Sequence, residues 1–444
     1  MKEGGPALVR ALSVAERERP TSSIPHYPPF AAWDGPPSPR EITRAWKKAL
    51  SRSETGIAVH FPFCRTVCSF CNISPRRALA AGAREPARFL SALAAEVSFY
   101  SGLFSRVRPR HLYVGGGTPN LLGPGQLRRL FYILDSGFDF APGATRFFEA
   151  IPAFIDRPRL RALKASGVTC AALGVQSLDK AVISASGRFQ DVSSVKEKCL
   201  AVRRAGIPRL MVDLIAGLPG QSERSFLRDV ITVASWRPDD IYLGAFDPVN
   251  TGFERGGGRL SAAGRRTAAA ALGKGLAILR RLGYSHRGAE SYATLDPGSA
   301  NWRGFHPYFD SGSLLALGPG AVSHAAGVLR YSNLHSWEEY EAAVSAGRPP
   351  AARSCLLNPR RERISFLLAS LDRGRVSAGE FREESGADLD EVFGPGLREL
   401  CGRRVLARTS YGYRVADHGR VAYAAAGIFF EPSVIRRLKA RRDE

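Results

Sequence analysis

GIAVHFPFCRTVCSFCNIS, residues 56–74, joins an apolar strand-like segment to a loop bearing three cysteines. Cys64, Cys68 and Cys71 stand in the spacing C-x3-C-x2-C. Thiolates are natural iron–sulfur ligands, and three of them can hold three corners of a four-iron cluster. The fourth iron is then open to bind a small molecule and pass it an electron. A structural zinc site normally closes with four ligands, usually as two separated pairs. No second Cys/His pair stands at a suitable spacing, and His60, in the preceding strand, is expected to point away. A disulfide cannot use three cysteines completely, and MKEGGPALVRALSVAERERP, residues 1–20, lacks the apolar core of a secretory signal.

Outward from this loop the chain alternates strand and helix. Strands are expected at GIAVHF (56–61), HLYVGGG (111–117), RFFEA (146–150), CAALGVQS (170–177), LMVDLIAG (210–217) and DIYLGAFDP (240–248). Several are nearly continuous apolar runs, as in parallel strands covered on both faces. Between the first two, Phe89, Leu93, Val97 and Tyr100 recur at helical spacing. Further helices are expected at about 124–135, 157–166, 192–205, 222–235 and 261–282. A row of βα units predicts a parallel α/β barrel or partial barrel, with its chemistry at the C-terminal ends of the strands. The cysteine loop follows the first strand, GGGTP follows the second, and Gln176 ends the fourth.

Four segments are expected. Residues 1–55, with Pro-rich IPHYPPFAAWDGPPSP and a short helix near EITRAWKKAL, read as an arm. The barrel spans 56–327 and closes on a Gly-rich join, LLALGPGAVSHAAG (314–327). A linker follows at 328–349, then a small winged-helix-like α+β domain at 350–444. That domain has helices, two strands around Tyr411-Gly412 and a last helix at SVIRRLKARR.

At 444 residues and 44% hydrophobic, the chain can build one large core and a smaller one. No apolar run approaches a membrane-spanning length, so a soluble cytoplasmic protein is expected. The net charge of +22 favours acidic partners, but Arg dominates it and is spread along the chain. With no aromatic–basic RNA signature, nucleic acid is not expected. The charge suits an anionic substrate or an acidic carrier protein. Cys170, Cys199, Cys355 and Cys401 read as core filling.

VGGGTPNLL places Gly115, Gly116 and Gly117 at a strand end, where backbone can approach a ligand without Cβ interference. The run fits neither the dinucleotide fingerprint nor the P-loop. It is expected to meet a ligand's amino and carboxylate ends. Glu149, Gln176, Arg188 and Asp213 fall at or just beyond strands three to five. Singly, Asp213 could cap a helix and Arg188 could lie on the surface. Gathered in one barrel mouth, they could hold ribose hydroxyls and an amino-acid carboxylate, the polar parts of S-adenosylmethionine (SAM).

With GVQS, DLIAGLPGQ and LALGPGAVSH, these motifs resemble the radical SAM enzymes. Within them the chain is similar to oxygen-independent coproporphyrinogen dehydrogenases, the HemN-like proteins, over about residues 56–430. The resemblance implies a partial (β/α)6-type barrel. It also implies a [4Fe–4S] cluster on Cys64, Cys68 and Cys71, with Phe70 near the adenine. Gly116, Gly117 and Thr118 would touch the methionyl moiety or a second SAM. Glu149, Gln176, Arg188 and Asp213 would bind the first SAM, with Ile215 and Ala245 near the second. A flavodoxin- or ferredoxin-type electron donor is implied as well.

Three departures bear on the substrate. Ile73 stands where porphyrinogen dehydrogenases have a further Cys, and Ala58 stands where they have a Tyr. SANWRGFHPYF replaces the H-N-x-x-Y-W motif of the related haem chaperones. These departures favour the branch resembling methyltransferases and cyclopropanases that tailor natural products. The expected reaction is therefore methyl or methylene transfer to an sp2 carbon using a second SAM. Oxidative decarboxylation of porphyrinogen propionates is the alternative, and a non-catalytic haem- or nucleic-acid-binding module is a third reading.

Overall fold

The alternating pattern folds as six parallel strands laid side by side in chain order. They are β1 (Thr55–Phe61), β2 (His111–Gly116), β3 (Thr145–Ala150), β4 (Cys170–Gln176), β5 (Arg209–Ala216) and β6 (Asp240–Ala245). The computed structural model describes residues 27–51, 54–73, 77–80, 82–248, 251–286, 292–295, 312–372, 374–417 and 420–440. The arm's residues 1–26 and the SANWRGFHPYF departure lie outside the described residues.

Helices Glu85–Ser101, Pro124–Gly137, Arg157–Ala165, Val195–Arg204 and Glu223–Ser235 fall between the strands, in the intervals that their sequence spacing predicts. In the first of them Phe89, Leu93, Val97 and Tyr100 are all buried, as an inward-facing stripe requires. Local chemistry sets the starts: the Asp156 carboxylate accepts from Arg159 N at 2.7 Å and fixes the entry to the helix that follows β3. The whole of β1 is buried, covered by helices on one side and facing the barrel interior on the other.

Beyond β6 run two short antiparallel strands, β7 (Ser285–His286) and β8 (Tyr292–Thr294). A seventh parallel strand comes from the stretch expected as a Gly-rich join. β9 (Ser313–Leu317) pairs with β1 on the side away from β2, so β1 is interior to the sheet. Antiparallel β10 (Val322–Ala325), β11 (Leu329–Asn333) and β12 (Ala351–Leu356) extend it. The order among the described residues is β12-β11-β10-β9-β1-β2-β3-β4-β5-β6-β8-β7. SLLAL is too short to show a period and ends in Gly-Pro-Gly, so only its pairing with a distant strand makes it one.

The described part of the expected arm is woven into the body. Trp46, on helix Pro39–Ala49, is fully buried and donates to the Tyr331 hydroxyl at 2.9 Å. Tyr27 joins the C-terminal core, and its hydroxyl accepts from Glu431 N at 2.7 Å. The stretch expected as a linker carries β11 and helix Trp337–Ser345, with Tyr331, Trp337 and Tyr340 buried in the main core. The small C-terminal sheet has the order β13 (Arg375–Ser377), β15 (Gly412–Val415), β14 (Leu406–Thr409), and its helices enclose a second core around Phe381, Phe393 and Leu397. No helix among the described residues is long and apolar enough to cross a membrane. Cys170, Cys199 and Cys355 are buried as core residues, whereas Cys401 is only partly so.

Candidate active site at the strand ends

Every site residue singled out from the sequence lines one cavity of about 480 Å³ at the carboxyl ends of the parallel strands. Small-molecule sites span about 300–1,000 Å³. Alternation along the strands decides which side chains reach it. On β1, Ile57, Val59 and Phe61 enter the helix-side core, so Ala58 and His60 face the interior. His60 is therefore part of the cavity wall, contrary to the expectation that it points away. Its Nδ1 lies 2.6 Å from the Pro319 carbonyl oxygen, while Nε2 is buried with no hydrogen-bond partner among the described residues. Burial holds this imidazole neutral, with its pKa down to about 4.

The cysteine loop is braced from several sides. Cys71 N donates to Cys68 O at 3.1 Å, Ser69 N donates to Ser186 O at 2.9 Å, and Phe253 N donates to Ser69 O at 2.8 Å. Burial pushes the Cys64 thiol up to about 11, and the neighbouring Cys71 and Cys68 add to this. Opposing it, the Thr118 hydroxyl donates toward Cys64 Sγ at 3.5 Å, and Arg188 Nη1 lies 3.6 Å from Cys68 Sγ. Three thiols, two of them with donors aimed at sulfur, fit iron ligation, because bound cations take coordinating thiols as thiolates.

The glycine run lies against the base of this loop. Gly116 has φ +105°, and a Cβ there would sit 2.0 Å from His60 Cδ2. A Cβ on Gly117 would meet Phe63 O at 2.5 Å. Glu149, on β3, accepts from Gly116 N at 3.0 Å and from the Tyr113 hydroxyl. Burial nevertheless raises its pKa. Tyr113 lies flat on Phe147, with centroids 5.0 Å apart and planes 6° from parallel. Phe147, Met211 and Tyr242 continue this apolar floor.

Asp213, on β5, has a buried Oδ1 with no partner among the described residues. Burial first, and then the Glu149 charge, push its carboxyl well above the usual range, with Arg188 opposing them. An unsatisfied buried acceptor costs about 1–3 kcal/mol, which a donor on a bound ligand would recover. Arg188 donates to Gly174 O, and its guanidinium carbon lies 5.9 Å from the centre of the Phe70 ring. Gln176 ends β4 at φ +66°, where the β4–β5 register shifts. A non-glycine residue in the left-handed region costs about 1 kcal/mol, and such strain collects at functional sites. Ile215, Ala245 and Phe70 complete the wall, together with Ala58 and Ile73, two of the three departures.

The sequence reading missed His60, Tyr113, Phe147, Met211 and Tyr242. The signal for them was inward alternation, which needs the correct register on each strand before it can be used.

A model of the Radical SAM superfamily matches residues 58–230. The chain is 29% identical over 239 residues to an anaerobic coproporphyrinogen III oxidase of Cereibacter sphaeroides. That match covers 53% of this chain and spans about half the relative's length, 52%. An oxygen-independent coproporphyrinogen III oxidase of Pseudomonas aeruginosa is 26% identical over 415 residues, covering 86% of this chain and 87% of its own. The solved coproporphyrinogen III oxidase HemN of Escherichia coli, described as a radical SAM enzyme, superposes with a TM-score of 0.71 at 21% identity. The superposition covers 90% of this chain and 93% of HemN.

Residues 58–230 thus match the radical SAM superfamily, and over most of its length the chain is similar to HemN-like proteins. Its architecture is the HemN-like partial barrel with a small C-terminal sheet. The superfamily match implies a [4Fe–4S] cluster and SAM. The braced thiols, the orphaned Asp213 carboxylate and the glycine cradle are residues that fit them.

Proposed function

We propose that this chain is a HemN-type radical SAM oxidoreductase acting on a tetrapyrrole propionate by oxidative decarboxylation. The observation that carries this reading is the convergence of the three cysteines with Glu149, Gln176, Arg188 and Asp213 on one cavity. Relatives matched over most of the chain supply the substrate class. This departs from the methyl-transfer expectation, whose support was the three departures at Ala58, Ile73 and SANWRGFHPYF. When bound, the cluster would supply the electron that cleaves SAM to a 5′-deoxyadenosyl radical able to abstract hydrogen.

The protein's own residues hold and shield the reactants. Cys64, Cys68 and Cys71 would hold the cluster on a loop that backbone bonds keep rigid. Glu149 and Asp213 offer carboxylate oxygens to the ammonium and ribose hydroxyls of SAM, and Arg188 offers guanidinium donors to its carboxylate. Gly116 and Gly117 let backbone come close to the methionyl part. Phe147, Met211 and Ile215 keep water from the floor, so a reactive carbon radical meets little solvent. A second SAM could use the wall of Ile215 and Ala245. A small acidic flavodoxin- or ferredoxin-type protein suits the net charge as electron donor.

A second reading, methyl or methylene transfer from a second SAM, is favoured by one observation. Ala58, Ala316 and Ala321 leave room on one side of the cavity. Anaerobic reconstitution separates the two readings. Given coproporphyrinogen III, a one-electron reductant for SAM cleavage and an acceptor for the electron released with carbon dioxide, the oxidoreductase yields 5′-deoxyadenosine and carbon dioxide without S-adenosylhomocysteine. Formation of S-adenosylhomocysteine with no carbon dioxide would overturn the first reading in favour of the second.

A further inference from the structure

Of the large apolar side chains left exposed among the described residues, Val67 (36%) and Phe189 (49%) both line the catalytic cavity. The others lie elsewhere on the surface. Phe189 is held rather than loose. Its neighbour Arg188 is tied to Gly174 O, and its other neighbour Gln190 donates from Nε2 to Val175 O at 3.0 Å and Ser177 O at 3.2 Å. The Phe189 ring lies on Phe154, with centroids 5.6 Å apart and planes 19° from parallel. The short segment 188–190 is thus pinned to the end of β4 on both sides, and it presents a ring that is half in solvent.

Leaving a phenylalanine half exposed forgoes on the order of 1 kcal/mol of burial. Folding alone gives no reason to fix that ring at a cavity mouth. The polar strand ends below are suited to SAM, so a reaction partner must arrive from above, past this lip. A ring lying nearly parallel on another, with its position fixed, is suited to extend the stack by one more flat group.

We infer that Phe189, seated on Phe154, is a specificity-determining residue that stacks an aromatic or pyrrolic ring of the incoming substrate. The occupant is the substrate rather than a protein partner, because the lip is continuous with the cavity and offers one ring rather than a broad face. This rests on the reading of the cavity as a radical SAM site with a tetrapyrrole substrate. An aromatic pair contributes about 0.5–1.5 kcal/mol beyond its area, and the ring's own burial adds to that. Removing the ring should therefore weaken substrate binding about tenfold.

The test uses reconstituted protein and its Phe189→Ala and Phe189→Trp variants. Three equilibria are measured: SAM, coproporphyrin III by fluorescence quenching, and anilinonaphthalene sulfonate as a porphyrin-free aromatic probe. The expected result is about tenfold weaker coproporphyrin binding in Phe189→Ala and retention in Phe189→Trp. SAM affinity and visible cluster absorption should be the same in all three proteins. Unchanged coproporphyrin affinity in Phe189→Ala, or a matching loss of SAM affinity, overturns the inference. If the unaltered protein ignores coproporphyrin yet binds the naphthalene probe in a Phe189-dependent way, the stacking lip stands and the tetrapyrrole assignment falls. Probe binding that ignores Phe189 in that case sinks the lip as well.

Discussion

The two ends of the barrel bury charge in opposite ways. At the amino-terminal end, Arg209 opens β5 and Asp240 opens β6, and they meet in a two-pronged pair, with Nη2 to Oδ1 at 2.8 Å and Nε to Oδ2 at 3.0 Å. Arg209 also donates to Thr294 Oγ1 at 3.2 Å. Every one of these groups finds its counterpart inside the protein. At the carboxyl-terminal end, Asp213 Oδ1 and His60 Nε2 are buried without partners among the described residues, Glu149 repels Asp213, and Gln176 is held in a strained conformation. A satisfied charge pair serves the fold. A set of unsatisfied groups around a cavity costs the fold stability and gains it back only when a ligand arrives.

The contrast can be broken first at the cysteine loop. Cys68→Ala should abolish both the visible thiolate–iron absorption and SAM cleavage while leaving the far-ultraviolet circular dichroism unchanged. Full activity in that variant would remove the chemical basis of the upper end. Next in size comes the lower end. Asp240→Asn strands Arg209 and should cost about 3–5 kcal/mol in urea unfolding, with SAM affinity retained in the folded fraction. An Asp240→Asn protein that unfolds normally but binds SAM poorly would mean that both ends serve the ligand.

Asp213→Asn is the mirror experiment. It removes an orphaned carboxylate, so stability should hold or rise. SAM affinity should fall about ten- to hundredfold, since a hydrogen bond to a charged group is worth about 1.5–3 kcal/mol. A drop in stability with unchanged affinity would make Asp213 a structural group like Asp240.

The smallest effect is on pH dependence. His60 titrates near 4 in the fold and near its ordinary value when unfolded, because burial opposes its charge. Between about 6.5 and 4 the unfolded chain therefore holds the extra proton, and stability falls as pH falls, by up to about 1.4 kcal/mol per unit. His60→Gln should remove that component from the stability–pH curve of the iron-free protein. An unaltered slope would show that the imidazole is not held neutral.

The difference between the two ends also tracks what could be read in one dimension. The polar groups of the upper end sit in short motifs at strand ends, so Cys64, Cys68, Cys71, Glu149, Gln176, Arg188 and Asp213, which line the cavity, could be singled out as residue types before any pairing was known. Tyr113 and Phe147 were not, because their stacking depends on β2 and β3 pairing with Tyr113 directly opposite Phe147. β9 escaped for a related reason. Its five residues gain their identity from β1, which lies far earlier in the chain, and not from any local period.

By itself, the sequence determined the chemistry on offer and the βα repeat that carries it, because thiol spacing, apolar runs and turn residues act over a few neighbours. Tertiary structure alone decided which polar atoms would be left without partners, that β9 and not a loose join would flank β1, and that Phe189 would stand rigid at the mouth. Those outcomes depend on long-range strand pairing and on which faces become enclosed, and neither is a property of a local stretch of chain.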